Sequence, residues 1–172
     1  MRLPPPLAAG ARVALIAPSG PLLSSSAIDV ALEQARSFGW DPMVGEHATA
    51  RDGYLAGDDA SRLHDLNAAL RDDTIDGIWC LRGGYGAMRL LPLLDVDAMR
   101  RRPRVLIGYS DITALHAVIG GASEVVTYHG PHAGTRLSPF SRTSMEHAVV
   151  AQRESCGQAP DRKSTRLNSS HG

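Results

Sequence analysis

Short apolar runs alternate with segments of helical periodicity along most of this chain. The apolar runs predict strands at 13–17, 78–81, 105–107 and 125–128, with a weaker one at 42–44. Apolar residues recur at helical spacing in the segments 28–38, 63–70, 87–91, 97–101 and 112–119. Capping signals predict the ends: Ser26 and Gly39 bound the first helix, Asp58 or Asp59 opens the second, and Gly120-Gly121 ends the last.

Strands that are apolar throughout and joined by helices are typical of a parallel sheet covered by helices on both faces. The sequence therefore predicts an α/β fold of this kind. Ligands of such sheets bind beyond the carboxyl ends of the strands. Four loops follow strand ends and should meet at one edge: "PSGP", "RGGYG", "GYSD" and "HGPHAG". We expect the functional site at this edge.

Composition narrows the class of protein. The chain has 172 residues and zero formal net charge, with 18 basic and 18 acidic residues, so its electrostatics give no support to a nucleic-acid partner. Its two cysteines, Cys80 and Cys156, are too few for a disulfide framework and favour a reducing compartment. No apolar run approaches the ~20 residues of a membrane span. We expect a cytoplasmic protein with neither a nucleic-acid nor a membrane partner.

Ser110 stands at the turn between a predicted strand and a predicted helix, in "VLIGYSDITALHAV". A serine there is either a helix cap or a nucleophile that needs a base and preorganised donors for the oxyanion. The local sequence favours the cap. The motif also departs from the G-x-S-x-G nucleophile elbow, because Ile112 replaces the second glycine.

The other loops carry weaker signals. "RGGYG" (82–86) is a glycine turn after a strand, but it is neither G-x-G-x-x-G nor a phosphate-binding loop, so it does not support a nucleotide site. His129 and His132 form a pair without further ligands at metal-binding spacing, so we expect no metal. No histidine, His116 included, stands out as a base for Ser110.

Four motifs in order give the chain a family resemblance: "VALIAPSGP", "GIWCLRGGYGAMRLLPLLD", "LIGYSDITALHAV" and "TYHGP". Together they resemble the LD-carboxypeptidases, also called muramoyltetrapeptide carboxypeptidases, over residues 13 to about 137. This resemblance favours the nucleophile over the cap at Ser110. It implies an N-terminal domain similar to class I glutamine amidotransferases, with a parallel α/β architecture.

The resemblance also implies an activity. Members of this family are cytoplasmic bacterial serine peptidases with a Ser-Glu-His triad, and they release the terminal D-alanine of murein tetrapeptide during cell-wall recycling. By this resemblance Ser110 is the nucleophile, and the backbone N–H groups of Gly84 and Asp111 hold the oxyanion. Substrate-pocket candidates are Arg82, Gly83, Tyr85 and His129. No cofactor is implied and a murein peptide is the expected partner. Members of the family are often dimeric, so the full-length protein is a candidate homodimer.

The resemblance and the end of the chain predict three regions. Residues 1–137 form the N-terminal domain, and 138–160 begin a linker towards the smaller C-terminal domain that carries the family's glutamate and histidine. Residues 161–171, "DRKSTRLNSSH", read as the translation of a sequence resembling a common short-read sequencing adapter. We therefore expect 161–172 not to be native, and the chain to be an inactive fragment.

Three alternatives remain open. Self-immunity peptidases that cleave processed microcin C share these N-terminal motifs and the role of Ser110. A non-enzymatic α/β binding domain would follow if the polar tail is a natural disordered segment. A nucleotide-binding module is the third, and the absence of G-x-G-x-x-G counts against it.

Overall fold

A computed structural model describes residues 1–151. Strands and helices alternate through most of this range. The five strands are β1 (Arg12–Ile16), β2 (Asp41–Val44), β3 (Gly77–Cys80), β4 (Val105–Gly108) and β5 (Tyr128–His129). The α-helices are α1 (Ser26–Ser37), α2 (Asp59–Arg71), α3 (Val96–Arg101), α4 (Thr113–Ser123) and α5 (Pro139–Met145). Two 3₁₀ segments, Ala87–Leu93 and Ser110–Ile112, and a π-helical segment, Glu146–Val150, complete it.

The strands form one parallel sheet in the order β2-β1-β3-β4-β5. β1 pairs with β2 on one side and β3 on the other, and Trp79 of β3 lies opposite Ile107 of β4. All five carboxyl ends therefore lie at the same edge, which confirms the predicted α/β class.

Alternate strand residues build two cores, one on each face of the sheet. On one face Leu15, Trp79 and Ile107 pack with α1 and with the segment that contains Met145 and Val149. On the other face the strand residues that point the opposite way pack with α2, α3 and α4. Since side chains alternate along a strand, an apolar strand needs helices on both faces, as the sequence predicted.

Several element boundaries differ from the prediction; the fifth strand, for example, is Tyr128–His129 instead of 125–128. Helix α4 continues through Gly120-Gly121 and ends at Ser123, where Glu124 takes a left-handed conformation with φ 58°. Gly120 is buried, and a Cβ there would make ordinary contact with the carbonyl oxygen of Val125 at 3.6 Å. The turn beginning at Ala87 is a 3₁₀ helix that includes Pro92, instead of an α-helix stopped before it.

The segment after residue 137 belongs to the same core. Met145 and Val149 are buried, and the amide of Leu7 donates to the carbonyl oxygen of Val149 at 2.8 Å. The described part of the predicted linker is therefore packed against the sheet. Its remainder, and the predicted adapter segment, lie outside the described residues. Within 1–151, no helix combines the length and the apolar character needed to cross a bilayer.

Candidate active site

Ser110 occupies a strained turn beyond the carboxyl end of β4. Tyr109 is extended, Ser110 has φ 62°, and the chain then enters the 3₁₀ turn Ser110–Ile112 that leads into α4. The turn is tight because Gly108 has no side chain: a Cβ there would lie 2.8 Å from Cγ2 of Ile112. A positive φ is costly for a residue with a Cβ and is concentrated at functional sites. The Ser110 side chain is exposed at the sheet edge.

The "RGGYG" loop packs directly against this turn. A Cβ on Gly83 would lie 3.0 Å from Cβ of Ser110 and 3.2 Å from the carbonyl oxygen of Tyr109, so glycine allows this approach without displacing its neighbours. The carbonyl oxygen of Gly83 accepts from the amide of Gly20 at 2.9 Å. In a trans peptide the C=O and N–H groups point in opposite directions, so the amide of Gly84 faces away from Gly20. Gly84 itself has φ 121°, a conformation that favours glycine.

The Asp111 carboxylate ties three loops together. Its Oδ2 accepts from the hydroxyl of Ser19 at 2.5 Å and from the amide of Ala87 at 2.9 Å. Ser19 follows β1 and Ala87 follows the glycine loop, whereas Asp111 follows Ser110. Hydrogen bonds to an ionised acceptor are stronger than neutral ones, so this carboxylate fixes the loops around the serine.

Arg62 holds the same loops from beneath. Its side chain is buried, and its Nη1 donates to the carbonyl oxygens of Pro18 at 2.7 Å and Gly86 at 3.1 Å, while Nη2 pairs with Asp59. Satisfying two loop carbonyls from helix α2 sets the separation between the loop after β1 and the loop after β3.

His132 supports the turn from the loop after β5. Its Nε2 lies 3.0 Å from the carbonyl oxygen of Tyr109 and 3.3 Å from the Tyr109 amide nitrogen, and the two rings stack at 4.1 Å. The contact with the carbonyl oxygen is a hydrogen bond when Nε2 carries the proton and donates it. Burial lowers the pKa of His132 to about 4, and the charge of Arg82 adds to that effect. A neutral ring committed to the Tyr109 backbone is a positioning group and a poor base.

A cleft of about 610 Å³ opens at Ser110. Of the residues predicted for the site, Ser110, Arg82, Gly83 and Gly84 line it. Nη1 of Arg82 donates to the carbonyl oxygen of Pro21 at 2.5 Å, which anchors this side chain at the wall of the cleft. The other lining residues are Leu22, Leu23, Ser24, Ala27, Leu81, Tyr109, His132, Gly134, Thr135 and Arg136.

Two predicted pocket residues lie beside the cleft instead of in it. Tyr85 lines a neighbouring depression of about 410 Å³, where its ring meets that of Tyr54 at 5.9 Å. His129 lines an apolar cavity of about 380 Å³ near Phe140, and its ring lies 6.1 Å from that of Tyr109.

The Ser110 hydroxyl has no hydrogen-bonded base within residues 1–151. No carboxylate or imidazole in this range hydrogen-bonds to the Ser110 hydroxyl, and the nearby His132 is engaged with Tyr109. His116 is also unsuited, because its Nε2 contacts the carbonyl oxygen of Gly108 at 2.8 Å and burial lowers its pKa.

Sequence reasoning missed the supporting groups Ser19, Arg62 and His132, and the role of the Asp111 side chain. Ser19 and Asp111 lie in the loops "PSGP" and "GYSD", which the sequence places at the site edge, whereas the local sequence around His132 suggests only a metal ligand. Arg62 lies within a helical pattern and carries no local signal, because its partners are backbone carbonyls of distant loops.

The fold and the cleft define a parallel α/β protein with a strained serine at the carboxyl edge of its sheet. Residues 13–130 match the LD-carboxypeptidase N-terminal domain, and this match covers more than half of the chain. The chain belongs to the LD-carboxypeptidase family, whose members are carboxypeptidases and hence hydrolases.

Named relatives and solved structures agree with this assignment. The chain is 42% identical over 132 residues to the murein tetrapeptide carboxypeptidase of Pseudomonas aeruginosa, which covers 76% of this chain and 42% of the relative. The structure resembles an MccF-like protein from Bacillus anthracis, with a TM-score of 0.82 and 30% identity over 87% of this chain and 47% of the other. It also resembles the microcin C7 self-immunity protein MccF, with a TM-score of 0.79 and 27% identity over the same shares.

The chain spans about two fifths of the length of the curated relatives it matches.

Proposed function

We propose that the protein containing this chain is a serine-type LD-carboxypeptidase that releases the terminal D-alanine of murein tetrapeptide in cell-wall recycling. The observation that carries the proposal is the exposed Ser110, held at φ 62° over a cleft with Gly83 packed against it. The named activity of the Pseudomonas aeruginosa relative supports the substrate.

The chemistry proposed for Ser110 is acyl transfer. Oγ attacks the carbonyl carbon that precedes D-alanine while a base takes its proton, and the carbonyl oxygen becomes an oxyanion. In this proposal the amides of Gly84 and Asp111 donate to the oxyanion; Gly84 lines the cleft, and Asp111 directly follows Ser110. Collapse breaks the C–N bond, the nitrogen receives the proton, and D-alanine leaves. Water then hydrolyses the acyl-serine ester and regenerates Ser110.

The base for this step comes, in our proposal, from a glutamate–histidine pair in a C-terminal domain outside this chain. The 172-residue chain alone is then inactive, because loss of a triad base costs on the order of 10⁶ in kcat in subtilisin. Long-read sequencing of the source DNA across codons 152–172 tests the truncation. A frame that continues into a second domain supports it, whereas a genomic frame that ends in "DRKSTRLNSSHG" contradicts it.

The activity is tested by D-alanine release from murein tetrapeptide. We expect release by the complete protein, no release by its Ser110→Ala variant, and normal release by Ser37→Ala, an exposed serine at the C-terminal end of α1 that does not line the cleft. The 172-residue chain should release no more than its own Ser110→Ala control. Activity that survives Ser110→Ala in the complete protein would exclude Ser110 as the nucleophile, and activity of the isolated chain would refute its inactivity.

A microcin-type self-immunity peptidase is the second candidate, favoured by the solved structures. One MccF structure of 27% identity and TM-score 0.79 contains glutamyl sulfamoyl guanosine. The same Ser110 chemistry would then act on an aminoacyl nucleotide analogue. Assaying the complete protein on both substrates separates the candidates, since cleavage of the aminoacyl nucleotide with no D-alanine release would replace the murein assignment.

A further inference from the structure

Two histidines far apart in sequence meet at the carboxyl end of β2, outside the Ser110 cleft. His47 follows β2 by three residues and His64 lies in α2, and their ring centroids are 5.3 Å apart. Ligand atoms of Glu46, His47 and His64 all lie within 4.8 Å of one another. None of the three lines the cleft at Ser110. In the described part of the chain this is the one group of three or more residues of metal-binding type at such a spacing.

A buried carboxylate orients the first histidine of this cluster. Oδ1 of Asp65 contacts Nδ1 of His47 at 2.9 Å, and Oδ2 accepts from the His47 amide at 2.9 Å. The Asp65 side chain is 4% exposed. A carboxylate on one ring nitrogen fixes the tautomer and leaves the other nitrogen as a basic ligand, which is the usual support of a metal-binding histidine.

Gly45, just before the cluster, lets the loop after β2 approach helix α2 closely. A Cβ on Gly45 would lie 2.5 Å from Oδ2 of Asp65, so glycine permits the close approach of the loop after β2 to α2. Glu46 and His47 follow this glycine directly. The loop is thereby held against the helix turn that carries His64.

We propose that Glu46, His47 and His64 bind Zn²⁺ or a divalent ion of similar preference, with water in the remaining position. Two imidazoles and one carboxylate suit Zn²⁺, Co²⁺ and Ni²⁺, whereas Mg²⁺ and Ca²⁺ prefer all-oxygen ligands. Bound metal would cross-link the loop after β2 to helix α2. The same loop continues to Ala56, whose amide donates to the carbonyl oxygen of Ser19 at 2.9 Å, so the cross-link would also steady a loop beside the cleft.

Metal titration of the 172-residue chain, prepared without a histidine tag, tests the site. We expect one Zn²⁺ per chain by calorimetry, visible d–d absorption on binding Co²⁺, and a rise of several degrees in Tm with Zn²⁺ but none with Mg²⁺. His64→Ala and Glu46→Gln change exposed side chains and should fold normally while weakening Zn²⁺ binding at least tenfold. Asp65→Asn should weaken it about 10–100-fold through His47.

His147→Ala is the matched control, because His147 is exposed and lies outside the cluster. It should leave the affinity for Zn²⁺ unchanged. Zn²⁺ affinity that is the same in His64→Ala and Glu46→Gln as in the original chain would overturn the proposal, as would a failure to bind Zn²⁺ more tightly than Mg²⁺. D-alanine release has no part in this test, so the site and the proposed peptidase activity stand or fall separately.

Discussion

Ser110→Gly should stabilise the folded chain while removing the proposed nucleophile. Ser110 has φ 62°, and its exposed side chain makes no hydrogen bond within residues 1–151. Removing this side chain therefore loses little stabilising interaction. The left-handed conformation costs a residue with a Cβ roughly 1–2 kcal/mol, and this cost disappears with glycine. The greater conformational freedom of glycine in the unfolded chain destabilises the folded state by about 0.5–1 kcal/mol, which offsets part of this gain. The net gain in the free energy of unfolding is about 0.5–1 kcal/mol.

Urea and thermal unfolding measure this gain, which corresponds to a rise in Tm of roughly 1–4 °C for a chain of this size. Ser110→Ala keeps the Cβ and should show no comparable gain. Glu124→Gly, at φ 58° on the exposed end of α4, should gain a similar amount. Ala117→Gly, at an exposed position inside α4, should lose about 1 kcal/mol. A Ser110→Gly variant that is destabilised, or no more stable than Ser110→Ala, would show that the turn stores no such strain.

Three further predictions concern the groups around the serine. Folding lowers the pKa of His132 from 6.5 to about 4, so the folded chain favours the neutral ring. The free energy of unfolding is therefore unaffected by this group above about pH 6.5, and it falls by up to about 3 kcal/mol as the pH drops towards 4. In urea unfolding between pH 4 and 7, the free energy of unfolding of His132→Gln should depend less steeply on pH than that of the original chain. An equal dependence on pH would refute this prediction. Gly83→Ala should lower the free energy of unfolding by about 1–3 kcal/mol, because the new Cβ crowds the turn. Gly121→Ala has no atom within 4 Å of the new Cβ and should raise it by up to about 1 kcal/mol. Tm changes of the same sign in both variants would contradict this. Ser19→Ala and Asp111→Ala should couple by about 1–3 kcal/mol in a double-mutant cycle measured by urea unfolding, and strict additivity would exclude the bond between them as a significant stabiliser.

The sequence by itself determined the fold class, because apolar runs and helical periodicity are local patterns that alternate along the chain. It also located the site edge, since loops after parallel strands converge, and it singled out Ser110 from its place between a strand and a helix. The family resemblance, carried by motifs in four of these segments, agrees with the match over residues 13–130. The roles expected for the site residues stay predictions: Ser110, Gly84, Asp111, Arg82, Gly83, Tyr85 and His129.

Only the tertiary structure decided which distant groups meet. The bond from Ser19 to Asp111 joins residues 92 positions apart, and His132 reaches Tyr109 from 23 positions away. Arg62 reaches its two loop carbonyls, and His64 reaches His47, only because α2 packs beside β1. Helix α4 likewise passes through Gly120-Gly121 because its buried face packs in the core, and such packing outweighs the low helix propensity of two glycines. Contacts of this kind depend on chain topology, which local patterns along the sequence do not record.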